Sequence, residues 1–166
     1  MGLGKPSFVK LNPQGDLVCM ICETNKETQI SIWSFAEEKK IIMEHHWKLD
    51  NFGSVQSVNW HQEGHKIALC SYNKIASYEA TKISEPIVVP LRTFVNEGKL
   101  LCCRWSPDDI LFFGGLFEYI FGVTLNGFIV RTIRPFMRTR DIIFRSKDEI
   151  FALGATKPIL LRYNTK

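Results

Sequence analysis

The sequence predicts an all-β fold of four repeated units, each of three or four short antiparallel strands, and three observations carry that reading. A two-strand pattern recurs four times: an apolar strand ending in a large side chain, a polar turn, then a second apolar strand. Its copies read SFVKLNPQGDLVCMI, QSVNWHQEGHKIALC, LCCRWSPDDILFFG and DIIFRSKDEIFALG. The large side chains Leu11, Trp60, Trp105 and Phe144 are spaced 49, 45 and 39 residues apart. A third strand then follows at a steady distance. Trp33 lies 22 residues after Leu11, Tyr78 lies 18 after Trp60, Val123 lies 18 after Trp105, and Tyr163 lies 19 after Phe144.

The elements follow in order. The first unit, residues 7–48, holds strands at 7–11 and 17–21, then QISIWSF at 29–35 and KKIIMEHH at 39–46. Its turn, Asn-Pro-Gln-Gly-Asp, has a mechanism: Pro presets φ, Gly supplies positive φ, and Asn and Asp bond their own backbone. The second unit, 54–94, repeats this around His-Gln-Glu-Gly-His, with KIASYEA at 74–80 and EPIVVPL at 85–91. The third, 98–136, turns at Ser-Pro-Asp-Asp and continues through YIFGVTL and FIVRTIR. The fourth, 139–166, ends with PILLRYN and lacks a fourth strand.

Residues 110–130, ILFFGGLFEYIFGVTLNGFIV, admit a second reading as a membrane helix, since their only charge is Glu118. Thirteen Leu, Ile, Val and Phe residues at about −0.3 to −0.6 kcal/mol each roughly offset one central carboxylate. A helix leaves four glycines and the Asn126-Gly127 pair unexplained, whereas strands place Gly114–Gly115 and Asn126–Gly127 at turns. The repeat phase agrees with strands, and no membrane span is expected.

Four strands per period of roughly 45 residues is the pattern of a propeller blade. The carrying features are SVNW at 57–60, CCRWSPDD at 102–109 and Ile32-Trp33-Ser34. With these, residues 7–164 resemble the WD-repeat family. The resemblance implies a partial or small β-propeller of about four four-stranded blades, the last incomplete. Departures from the family pattern are plain: no Trp-Asp pair occurs, and Ser34, Glu79 and Asn164 stand where the Asp would be. The family's Gly-His pair is missing too; His45–His46 lies near its place, and Gly64–His65 sits in a different turn. Rings of this family have seven or eight blades, so four units imply self-association into a larger ring, completion by another chain, a compact four-bladed ring, or a fragment or short isoform of a longer protein.

Composition narrows the function classes. The N-terminus has no apolar signal-peptide core. An odd count of five irregularly spaced cysteines argues for a reducing compartment rather than a disulfide framework; the expected location is the cytosol or nucleus. Cys19 and Cys22 have metal-site spacing, but on a strand residues three apart face opposite ways. They and the adjacent Cys102 and Cys103 read as small buried hydrophobes.

No catalytic, cofactor-binding or metal-binding constellation emerges, and no enzyme is expected. His61 and His65 bracket a turn and read as solvated; Asp108–Asp109 reads as turn caps. One stretch stands out. Arg131, Arg134, Arg138, Arg140, Arg145 and Lys147 face Asp141 alone, a net +5 where the whole chain carries +4. With Phe136 these residues form a candidate partner-binding surface for an acidic peptide, a phosphoinositide or RNA. The family's lipid-binding branch carries Phe-Arg-Arg-Gly, which Phe136-Met-Arg-Thr does not reproduce, so lipid is disfavoured. Trp60 and Trp105 read as core, and Trp47, placed between units, as an exposed interface aromatic. By resemblance the function is a non-catalytic scaffold or adaptor for protein–protein contacts in a larger assembly. The alternatives are an RNA-binding propeller subunit using the basic 131–147 surface, and a membrane-anchored protein spanning 110–130.

Overall fold

A computed structural model describes residues 5–35, 40–80, 87–90, 98–124, 126–157 and 159–164. They form four antiparallel sheets, each a meander in chain order. Blade 1 comprises β1 (Lys5–Leu11), β2 (Leu17–Glu23), β3 (Glu27–Phe35) and β4 (Ile41–Asp50). Blade 2 comprises β5 (Val55–Trp60), β6 (Lys66–Ser71), β7 (Lys74–Glu79) and β8 (Ile87–Pro90). Blade 3 holds β9 (Leu100–Trp105), β10 (Leu111–Gly115), β11 (Ile120–Val123) and β12 (Ile129–Ile133). Blade 4 has three strands, β13 (Thr139–Ser146), β14 (Glu149–Gly154) and β15 (Leu160–Asn164).

The same cross-strand rung recurs in every blade. Leu11 pairs with Val18 and Val18 with Trp33; Trp60 pairs with Ile67, and that with Tyr78. The later rungs are Trp105–Leu111–Val123 and Phe144–Ile150–Tyr163. Because strand side chains alternate between faces, each rung points one way, toward the preceding blade. Trp60, Ile67 and Tyr78 meet Cys19, Ile21, Ile30 and Ile32 of blade 1 in one core cluster. Trp105, Leu111 and Val123 meet Ala68, Cys70 and Ile75 of blade 2 in a second. Ile142, Ile150 and Ala152 meet Cys102, Phe112 and Ile120 of blade 3 in a third. A stack of sheets buried on both faces explains why the middle strands read as unbroken apolar runs.

Residues 110–130 are therefore strand, turn and strand: they supply β10, β11 and the start of β12, and no helix among the described residues is long and apolar enough to cross a membrane. The helical membrane-anchor alternative is corrected on that ground. Asn126–Gly127 falls at a turn as expected, with Gly127 at φ 82° and its amide donating to the Thr124 carbonyl. Gly114 and Gly115 do not. Both lie within β10 at a register irregularity against β9, where the glycines permit close approach rather than a bend.

The turns behave as their residues dictate. Asn12 is buried, and its Oδ1 accepts from the amides of Gly15, Asp16 and Leu17. Gly15 and Gly64 occupy the same turn position at φ 81° and 73°. Nothing lies within 4 Å of a Cβ built on Gly15, so Gly15→Ala isolates backbone strain. It should cost about 1 kcal/mol, read by chemical denaturation; an unchanged midpoint would contradict the left-handed geometry.

Candidate interaction surfaces

Four kinds of surface offer themselves: the concave inner groove, the turn face, the basic segment and the two end faces. The groove is lined by the first strands of all four blades, including Lys10, Ser57, Arg104, Arg140 and Asp141, with Leu153 of β14. Across it Arg104 donates to Asp141 in a fork, Nε to Oδ1 at 3.2 Å and Nη2 to Oδ2 at 3.1 Å, joining blade 3 to blade 4. Asp141 is thus held by its own protein. The pair is about one-third exposed on both sides, so solvent screens much of its attraction.

On the turn face the blades are sewn together. Gln14 Nε2 donates to the Gln62 carbonyl at 3.2 Å, and Gln62 Nε2 donates to the Pro107 carbonyl at 3.3 Å. Lys66 Nζ reaches Asp109 Oδ1 at 2.6 Å, and that pairing holds the Asp109 carboxyl below its usual range. His61 corrects the sequence expectation of a solvated turn residue: it is 1% exposed and packs edge-on against Trp105. His65 is half-buried beside it. Donor atoms of His61, Glu63 and His65 lie within 4.8 Å of one another, which invites a metal. The hydrogen bonding argues otherwise. His61 Nδ1 accepts from the Glu63 amide at 3.2 Å, so the neutral ring carries its proton on Nε2, which lies 3.3 Å from Asp109 Oδ1 but makes no hydrogen bond among the described residues. That leaves this ring without a lone pair for an ion.

Burial is the chief cause that pushes the His61 pKa down, against the opposing pull of Asp109. The unfolded chain thus binds a proton near pH 6.5 that the folded chain binds only at lower pH, so stability falls as pH drops through that window. Denaturation midpoints should decrease from pH 7.5 to 5.5, and His61→Gln should flatten that slope. An equally steep slope in the variant would exclude His61 as its source.

The basic segment is not one surface. Arg131, Arg134, Phe136 and Arg138 precede or lie on the β12–β13 connection, whereas Arg145 and Lys147 lie at the far end of β13. Eight residues of strand at about 3.3 Å each separate the two groups by roughly 25 Å. Arg134 is paired with Glu118 at 2.9 Å and lies over the rings of Tyr119 and Phe136; Arg145 is paired with Glu149 at 3.0 Å. Arg140 lies in the inner groove. The charge that is contiguous in sequence is dispersed in space. Phe136 is 83% exposed at φ 54°. Trp47 departs from its expected place: it lies within β4, half-buried, with its ring 5.2 Å from His45 and 4.8 Å from Tyr78. The pattern EHHWKLD continues the strand alternation to Asp50, which puts Trp47 on the face of blade 1 that meets blade 2.

The cysteines settle as expected for buried hydrophobes. Cys102 and Cys103 enter different clusters on opposite faces of blade 3. All five are free and buried, and burial pushes the Cys19 thiol up to about 12. Trp60 and Trp105 are core, 8% and 6% exposed.

The two ends of the stack are the surfaces that an open arc of four units is expected to expose. The outward face of blade 1 carries Val9, Leu11, Val18, Met20, Trp33 and Met43, of which Val9 is 63% and Leu11 56% exposed. The outward face of blade 4 carries Ile143, Phe151, Leu153 and Leu160, with Ile143 at 57% and Leu160 at 59%. The signal was present: Leu11 occupies the position of Trp60 and Trp105, which are buried by a preceding blade. Among the described residues nothing covers either end face and blades 1 and 4 share no core cluster, which argues against the compact four-bladed ring.

No protein-family model matches the sequence, and no curated protein matches it. Solved structures do. The chain is similar to the WD40 domain of Toxoplasma gondii coronin over 99% of its length at 13% identity and a TM-score of 0.68. It is similar to the Dos1 propeller over 96% at 10% identity and 0.70, and to Chaetomium thermophilum Raptor over 97% at 12% identity and 0.71. The fold is that of a WD40-type β-propeller. The chain spans 44% of the coronin domain, 41% of the Dos1 propeller and 15% of Raptor, so it supplies less than half of either propeller.

Proposed function

We propose that this chain is a non-catalytic scaffold that holds protein chains together in a larger assembly, through the apolar sheet faces at the ends of its blade stack. The observation that carries this reading is the pair of end faces. Contiguous apolar surface of this kind marks protein contact sites, and both faces belong to stiff sheets, which lose little freedom on binding. The likeness to WD40 propellers supports a binding platform in general, and an odd count of five cysteines fits a cytosolic or nuclear setting.

The test is quantitative co-purification of wild type and a Leu11→Lys, Met43→Lys double variant from the same cells. Both sites are exposed, so the variant should keep its β-sheet circular dichroism. The reading expects the variant to lose at least tenfold of the chains that accompany the wild type. An unchanged set of companions would overturn the assignment of binding to these faces.

A further inference from the structure

We infer that the end of the blades opposite the turn face is a binding site for single-stranded nucleic acid. The exposed rings of Tyr72 and Phe136 stack on bases there, and Lys99, Arg134 and Arg138 hold phosphates. This goes beyond the scaffold reading and uses neither end of the stack. Because every blade is a meander, the β6–β7, β10–β11 and β14–β15 turns and the β8–β9 and β12–β13 connections all lie at this end. Their described residues carry Lys99, Arg134, Arg138 and Lys157 against Glu118 alone. The first turns of the four blades, on the turn face, carry Asp16, Glu63, Asp108, Asp109 and Asp148 against Lys147. The two sets of turns are opposite in sign, so an anionic partner is steered to one of them.

Charge alone would suit any acidic partner, and the rings narrow the choice. Tyr72, in the β6–β7 turn, is 41% exposed, with Lys99 Nζ 5.0 Å from its ring centre. Phe136, on the β12–β13 connection, is 83% exposed; the Arg134 guanidinium carbon lies 5.6 Å from its ring centre and 5.7 Å from that of Tyr119. Two contacts join these pairs into one track: the Leu116 amide donates to the Lys99 carbonyl at 2.8 Å, and Arg134 donates to Glu118 at 2.9 Å. Phe136 is held pointing outward. On one side Tyr163 Oη donates to the Pro135 carbonyl at 2.8 Å; on the other Met137 packs against the third core cluster and the Ala155 amide donates to the Arg138 carbonyl. Between these anchors Phe136 stands at φ 54°, a left-handed conformation that is unfavourable for its side chain. Neither core packing nor backbone comfort accounts for it, and a planar group from a partner does. Flat apolar groups alternating with charges are the chemistry of a nucleic-acid strand: each base offers a face to a ring, and each phosphate an anion to the cation beside it. An acidic peptide supplies the anions without the planar groups.

The experiment is fluorescence anisotropy of a labelled oligouridylate of about twelve nucleotides, a length within the range such surfaces bind, titrated with the purified chain. Affinity should fall at least about tenfold between about 50 and about 200 mM salt. Tyr72→Ala and Phe136→Ala should each weaken binding at least about fivefold, the lower bound for losing one base stack. Both rings are exposed, and circular dichroism checks that the variants stay folded. Arg138→Gln should weaken binding and flatten the salt dependence, whereas Arg162→Gln, the same loss of charge at an exposed site on β15, should leave both unchanged. An abasic oligomer of equal length and charge should bind at least about tenfold more weakly. No binding at about 100 μM protein in about 50 mM salt, weaker than ordinary non-specific contact, would overturn the site. Equal affinity for the abasic oligomer would overturn the stacking, and equal or tighter binding of an oligoglutamate of the same charge would reassign the face to acidic peptides. None of these readouts involves Leu11 or Met43, so failure here is distinguishable from failure of the scaffold reading.

Discussion

Gly115→Ala should unfold the protein or cost at least about 3 kcal/mol, the upper range of overpacking penalties. Gly115 pairs with Leu100 where β10 slips register against β9. A Cβ there would stand 1.9 Å from the Lys99 carbonyl oxygen and 2.8 Å from its carbon. Neither is the tip of a flexible side chain that could swing aside. The Lys99 carbonyl also accepts from the Leu116 amide at 2.8 Å, and the Leu100 amide donates to Tyr72 of blade 2 at 2.8 Å. Moving this backbone would break a bond within blade 3 and one between blades. Gly114→Ala is the matched comparison: its nearest neighbours are the side-chain carbons of Thr139, 3.0 and 3.1 Å away, which can give by a few tenths of an ångström. It should cost far less. Equal midpoints for both variants in urea would show that the register slip is placed wrongly.

Trp60→Ala should cost about 3–5 kcal/mol, the range for emptying a buried aromatic site. Trp60 is 8% exposed and packs among residues of blades 1 and 2, so its removal opens a cavity between sheets rather than within one. Its Nε1 also donates to the Lys10 carbonyl of β1 at 3.0 Å, a bond that fixes blade 2 to blade 1. Trp60→Phe separates the two effects. It keeps most of the apolar volume and forfeits the bond, and should lose about 1–2 kcal/mol, near the worth of one hydrogen bond with its abandoned carbonyl. Trp105 offers an internal contrast, since its Nε1 is buried with no hydrogen-bond partner among the described residues. Trp105→Phe should therefore cost less than Trp60→Phe when both are measured by urea denaturation. A larger loss at Trp105 would contradict the bonding assigned to the pair.

The sequence carried the blades well because their signals are local. Turn residues such as Asn12 and Gly15 act within a few positions, and the rung residues repeat at a spacing visible without any structure. What escaped it depends on neighbours far along the chain. Gly114–Gly115 looks like a turn because a pair of glycines often is one; only the position of Lys99 shows that these allow close approach. His61 sits in a polar turn and reads as wet, yet Trp105 of the next blade covers it. The arginines from 131 to 145 make one cluster on paper, and a strand eight residues long carries them to different ends of a sheet. Trp47 was misplaced by a strand boundary, which sequence fixes poorly, and its burial follows from Tyr78 across the blade junction. The end faces were legible in principle. Leu11 has the phase of Trp60, but whether a blade precedes it is a question of assembly, not of periodicity.

The most direct measurement is to image the purified wild-type chain by electron microscopy and count the blades in averaged particles. The expected result is that the particles contain a run of four adjacent blades matching the four sheets described above, with blades 1 and 4 not packed on each other. A closed four-bladed ring would contradict it.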